Sequence, residues 1–178
     1  MQRPRLSRRF WLLALIPLAF GRAAIGDGDE QPPLPAKAVA DRIVVDKARH
    51  IMTLYSHEQP LRSYAVALGR GGLDIKRREG DNLTPEGQYR IDGHNPRSAF
   101  HLSLHISYPE ARDVARAAAH GENPGGDIMI HGIRNGLGWI GTSHRWLDWT
   151  AGCIAVTNGE IEEIWRVVAD GTPIEIRR

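Results

Sequence analysis

From Ala40 onward, apolar and polar residues alternate in short runs. RIVVDKARHIMTLY, PLRSYAVALG and QYRIDGHN are rich in β-branched and aromatic residues and are separated by turn-prone clusters, the pattern of an antiparallel sheet. In FHLSLHISYP, Leu102, Leu104 and Ile106 point one way and His101, Ser103, His105 and Ser107 the other, which predicts a strand with one core face and one open face. ARDVARAAAHGENPGG predicts a helix ending near Gly121, with Pro124 beyond it. DIMIHG predicts a short strand that delivers His131 at its end, CIAV a second buried strand and TPIEIRR a last one. TNGEIEEIWRVV predicts a helix opened by a capping box of Thr157 and Glu160, with Ile161, Ile164, Trp165 and Val168 as its apolar stripe. Between these elements lie the long loop GRGGLDIKRREGDNLTPEG, whose Thr84–Gly87 end suits a type I turn, and the irregular aromatic loop NGLGWIGTSHRWLDWT. The expected fold is β-rich mixed α/β with a few short helices.

The N-terminus has a different pattern. Arg3, Arg5, Arg8 and Arg9 precede an apolar run from Phe10 to Phe20, and small residues follow at Ala23 and Ala24. That run is 11 residues long, against the roughly 20 a membrane-spanning helix requires. Residues 1–24 are therefore expected to be a secretory signal peptide, with the Arg pair compatible with either a general or a twin-arginine export route. Residues 25–39, rich in Gly, Pro and acids, are expected to be a flexible linker, and residues 40–178 the folded domain. Export would place the chain in the periplasm or cell envelope of a bacterium.

The leader changes the charge argument. It holds five Arg and no acid, so the formal charge falls from +2 for the whole chain to −3 without it. The remaining basic residues are scattered among acids, which argues against nucleic acid as a partner. About 150 residues remain, enough for one domain with an ordinary core.

An exported domain usually pairs its cysteines, but Cys153 is the single cysteine of the chain. A free thiol is either an inert buried residue or a functional one, and its neighbours decide. Acyl transfer by a thiol requires a base and amide donors for the oxyanion. TAGCIAV supplies Gly152, where substrate can approach the backbone, and a turn that aims the amides of Gly152 and Cys153. His131, at the end of the preceding strand, is the candidate base if the two strands pair.

IHG (Ile130 to Gly132), followed after a loop by TAGCIAVTN (Thr150 to Asn158), resembles the signature of the L,D-transpeptidase family, also called YkuD domains. TPEGQYRI (Thr84 to Ile91) resembles another segment of that family, and FHLSLHISYP with the Ala after CI looks more like its YafK-like branch. The resemblance implies a YkuD-like β-sandwich in which Cys153 is the nucleophile and His131 its base. The Gly132 carbonyl would orient the imidazole, and Gly152 would contribute to the oxyanion site. Thr150 and Trp149 are expected to bind substrate. The implied reaction is attack on the carbonyl between an L-centre and a D-residue of a peptidoglycan stem peptide, giving a thioester whose acyl group passes to an amine. It implies no metal or organic cofactor. The alternative is hydrolysis of the same wall linkages, as an L,D-carboxypeptidase or as an amidase that frees a wall-linked lipoprotein. The sequence departs from the commoner family pattern at Ala151, where His often stands, and at Ala155, where Arg often stands. Oligomeric state is left open.

Two other classes deserve weight. His101, His105 and His131 could form the zinc site of a metallohydrolase, but residues four apart on a strand lie about 13 Å apart, too far for one ion. A non-catalytic wall-binding module would keep the fold without an activated thiol, whereas a working nucleophile is expected to react with alkylating agents below the pH of a free cysteine. Trp139, Trp146 and Trp149 are expected either as core packing or as a lid or platform beside the site, and His144 and Asp148 as solvated loop residues.

Overall fold

The computed structural model describes residues 32–178; the expected leader lies outside them. Strand formation follows the alternation closely. In β2 (Ile51–Ser56), Met52 and Leu54 are fully buried while their neighbours are partly exposed, and β1 (Arg42–Asp46) buries Ile43 and Val45 against them. β3 (Gln59–Ala65), β4 (Gly87–Ser98), β5 (His101–Ile106), β6 (Met129–His131), β7 (Ile154–Ala155) and β8 (Pro173–Arg177) complete a sheet of order β3-β2-β1-β8-β4-β5-β6-β7. β1 with β8 and β6 with β7 are parallel, and the other neighbours are antiparallel.

The sheet curls back on itself. Just past β3, Ala67 and Ala155 exchange backbone hydrogen bonds of 3.0 and 2.8 Å, Thr150 N donates to Leu68 O (3.1 Å), and Arg70 N donates to Thr150 O (3.0 Å). The chain leaving one edge of the sheet thus meets the other edge, and the two halves pack as the layers of a sandwich. One hydrophobic core fills the space, with Ile91, Ile106, Ile130, Ile154, Ile161 and Ile174 each fully buried. Each such side chain contributes about 1.5–3 kcal/mol by leaving water.

Three short helices flank the sheet: α1 (Ala111–Ala118), α2 (Asn158–Val167) and a 3-10 segment, Gly138–Trp146, kinked at Gly141. The capping box at α2 is formed as expected, with Thr157 Oγ1 accepting from Glu160 N and Glu160 Oε2 accepting from Thr157 N. Ile161, Ile164, Val167 and Val168 are buried, and Trp165 packs against the edge of the core.

Three expectations are corrected. The open face of β5 is not open at Ser103, which is 1% exposed: α2 packs against β5, and His101 on the same face meets Glu162 of that helix. The expected linker is docked over residues 32–39: Leu34 is buried in the core, its N donates to Glu163 Oε1, and Arg166 holds the carbonyls of Leu34 and Pro35. Thr84–Gly87 forms no turn and runs into β4, because Thr84 is fixed from both ends: its Oγ1 accepts from Gly69 N (3.0 Å) and its carbonyl from Lys47 Nζ (3.0 Å). Lys47 is fully buried, and its ammonium also donates to Leu73 O, Asp74 O and Glu86 Oε1 at 2.9–3.0 Å, so one cation organises the long loop.

Candidate active site

β6 and β7 pair in parallel with Ile130 opposite Ile154 and His131 opposite Ala155. Cys153 immediately precedes β7, level with Met129. Met129 and His131 share a face of their strand, so Cys153 and His131 are diagonal neighbours on one face of the sheet. Both line a cavity of about 770 Å³, together with Phe100, Asp127, His144, Trp149, Thr150 and others. The sheet pairing thus brings together two residues that the sequence separates by a long aromatic loop.

His131 is buried and its orientation is determined. Its Nδ1 donates to the Gly132 carbonyl at 2.7 Å, which leaves Nε2 of the neutral ring with a free lone pair. The ring is wedged between Phe100 (centroids 4.6 Å apart) and Trp149 (5.6 Å). Burial pushes its pKa below the ordinary histidine value, partly offset by the bond to Gly132. Gly132 is needed for space: a Cβ there would lie 2.8 Å from Asn158 Oδ1. That Asn158 oxygen accepts from Ile133 N at 2.9 Å and so ties the chain leaving His131 to the start of α2.

The turn before Cys153 is held by Thr150. Its Oγ1 accepts from Gly152 N (3.1 Å) and donates to the Cys153 carbonyl (2.8 Å). Two expectations change as a result. Thr150, although it lines the cavity, spends its hydroxyl on the turn and not on substrate. The Gly152 amide, expected to point at an oxyanion, is already engaged by Thr150 Oγ1. Gly152 itself sits at φ +136°, and a Cβ there would approach Leu83 O to 2.8 Å, so the glycine admits neighbouring protein backbone and not a ligand.

Cys153 Sγ donates to Asp127 O at 3.5 Å. Burial pushes the thiol pKa up; a backbone bond from Met129 opposes this and the charge of Asp127 adds to it. Both directions favour a neutral thiol and a neutral imidazole, in contrast to the activated thiolate expected from the sequence. A neutral thiol and a neutral imidazole can react by general-base transfer at the moment of attack.

The aromatic loop divides. Trp149 lines the cavity, whereas Trp139 and Trp146 are 81% and 83% exposed and take no part in its wall. His144 is a buried cavity residue and not a solvated one; burial lowers its pKa to about 4, with the charge of Arg145 adding. Asp148 staples the sheet closure, accepting from Leu68 N (2.7 Å) and meeting His50 Nε2 (3.0 Å). His101 and His105 each meet their own carboxylate, Glu162 and Asp92, and among the described residues no group of three potential ligands could hold a metal ion. Sequence reasoning missed Phe100, Arg70, Arg134 and Asp127 in the cavity wall; Arg70 and Phe100 come from distant segments, whereas Asp127 and Arg134 flank His131 in the chain and carry no motif of their own.

The profile of the YkuD family, described as the L,D-transpeptidase catalytic domain, matches residues 40–176. YafK of Escherichia coli (strain K12), which is named as an L,D-transpeptidase, is 34% identical over 112 residues, covering 62% of this chain and 38% of YafK. Two solved structures share the fold. The helical cell shape determining protein Pgp2 from Campylobacter jejuni matches with a TM-score of 0.60 at 24% identity, over 80% of this chain and 49% of that one. An L,D-transpeptidase from Xylanimonas cellulosilytica matches with a TM-score of 0.54 at 14% identity, over 83% and 65%. The chain thus spans less than half the length of YafK and of Pgp2. With the family profile covering most of the chain and the paired β6 and β7 strands presenting His131 and Cys153 in one cavity, this chain belongs to the YkuD family of L,D-transpeptidase catalytic domains.

Proposed function

We propose that the protein is a peptidoglycan L,D-transpeptidase that works through a thioester on Cys153. The observation that carries this reading is the tautomer of His131: with Nδ1–H committed to Gly132 O at 2.7 Å, Nε2 is the basic atom in the cavity that Cys153 also lines. In the first half-reaction, the Sγ proton passes to His131 Nε2 as sulfur attacks the stem-peptide carbonyl. The Cys153 amide stabilises the oxyanion. Collapse breaks the C–N bond, and the leaving amine takes the proton from His131. In the second half-reaction an acceptor amine gives its proton to His131, attacks the thioester and releases the Cys153 thiol.

Attack by water on the same thioester gives the alternative outcome, an L,D-carboxypeptidase or an amidase that frees a wall-linked lipoprotein. Trp149, packed on His131, forms a wall of the substrate site. In this reading residues 1–24 export the folded domain, and its substrate lies in the bacterial envelope.

Mass spectrometry of muropeptides incubated with the protein tests this reading. New crosslinks indicate transpeptidation, and shortened stems or freed lipoprotein remnants indicate hydrolysis. No change with the wild-type protein, or the same products from Cys153→Ala, would overturn it.

A further inference from the structure

Among the described residues, Ser103, Asp113, His144 and Glu160 each have a buried side-chain polar atom without a hydrogen-bond partner. Of these, His144 alone lines the cavity that holds Cys153 and His131. It is 8% exposed, and the unpartnered atom is Nε2.

The state of that atom follows from its neighbour. Trp149 Nε1 lies 3.4 Å from His144 Nδ1, and an indole nitrogen can only donate. His144 Nδ1 is therefore the acceptor, and the single proton of the neutral ring sits on Nε2. The ring stays neutral at ordinary pH, because burial holds its pKa near 4 and the charge of Arg145 acts in the same direction. Glu160 Oε1 is likewise without a hydrogen-bond partner, so it does not accept from His144 Nε2. The result is a buried donor without an acceptor, on a residue that lines the cavity. A buried donor in that condition destabilises the protein unless a ligand supplies the acceptor.

We propose that His144 is a substrate-binding residue whose Nε2–H donates to an oxygen acceptor, a carbonyl or carboxylate, of the peptide held for attack by Cys153, with Trp149 setting its tautomer. This rests on the reading of the cavity as a stem-peptide site. The phenyl ring of His144→Phe fills the same space without a donor, whereas the terminal amide of His144→Gln reaches about as far as Nε2. With muropeptides as substrate, His144→Phe is expected to raise KM about tenfold, with kcat within about twofold, and His144→Gln to recover most of that loss. A KM for His144→Phe equal to wild type, or equal impairment of both variants at matched Tm, would overturn the proposal. A second measurement needs no change at His144: in ¹⁵N-histidine-labelled Cys153→Ala protein, the ring should show the Nε2–H tautomer, and its Nε2–H resonance should move when muropeptides are added. An Nδ1–H tautomer, or a resonance unmoved at saturation, would also overturn it. Failure of the functional reading looks different, since wild-type protein would then leave muropeptides unaltered.

Discussion

Thr150 Oγ1 donates to the carbonyl of Cys153 at 2.8 Å while accepting from the intervening Gly152 amide. The residue that the motif suggests as a substrate contact is thus a clasp on the loop that presents the sulfur. Thr150→Val keeps the shape and removes the clasp, leaving a buried amide without its acceptor, which costs about 1–3 kcal/mol. We expect a lower denaturation midpoint and a fall in kcat/KM, both largely restored in Thr150→Ser. Unchanged stability in Thr150→Val would remove the clasp from the account.

Gly152→Ala tests the packing of the same turn from the other side. A methyl there meets Leu83 O at 2.8 Å, on a backbone at φ +136° that side chains rarely adopt. Strain of this kind costs about 1–3 kcal/mol. Chemical denaturation should show that loss, together with reduced acylation of Cys153.

The thiol and imidazole should both be neutral in the resting protein. Burial raises the Cys153 pKa, so the thiolate appears only at higher pH than in an unstructured cysteine peptide. Iodoacetamide labelling measured against such a peptide should show its half-rate shifted upward. By contrast, kcat/KM should fall at low pH only below the ordinary histidine range, because burial also lowers the His131 pKa. Labelling shifted downward would indicate a resting thiolate–imidazolium pair instead.

His144 gives a stability prediction with a defined sign. Its folded pKa, about 4, lies below that of a free histidine, so the unfolded chain binds the extra proton first. The stability it contributes is present above the unfolded value and is lost as pH falls through the folded one. Between about pH 6.5 and 4 the loss should approach about 3 kcal/mol. Urea midpoints across this window should show that slope in the wild type and a smaller one in His144→Gln.

Lys47 anchors the long loop with an ammonium that is fully buried and bonded to three carbonyls and to Glu86. Lys47→Met leaves those acceptors unpaired, and breaking a buried pair in this way costs about 3–5 kcal/mol. Calorimetry should show a large drop in Tm; a change of a degree or two would contradict the role assigned to the residue.

What could be read from the sequence was local. Alternation at Leu104 and Ile106, the Thr157–Glu160 capping box and the delivery of His131 at a strand end depend on neighbours within a few positions, and all three appear in the structure. What could not be read depends on distant partners. Asp148 resembles any solvated loop acid until Leu68 N reaches it from 80 positions away. Leu34 lies in a Pro-rich stretch typical of a linker, yet α2 supplies Glu163 and Arg166 to hold it. His144, Trp139 and Trp146 share one aromatic loop, and only the fold buries the first and exposes the other two. The candidate nucleophile and base were legible through their motif; the occupation of the Gly152 amide by Thr150 was not, because no spacing rule encodes a side chain folding back on its own turn.

Catalysis through Cys153 requires a covalent acyl-enzyme. Intact-protein mass spectrometry after brief exposure to muropeptides measures it directly. The account predicts a mass increase equal to one stem-peptide acyl group, localised to the peptide containing Cys153, removed by hydroxylamine and absent in Cys153→Ala. Turnover of muropeptides by Cys153→Ala, with activity lost to a chelator, would contradict it.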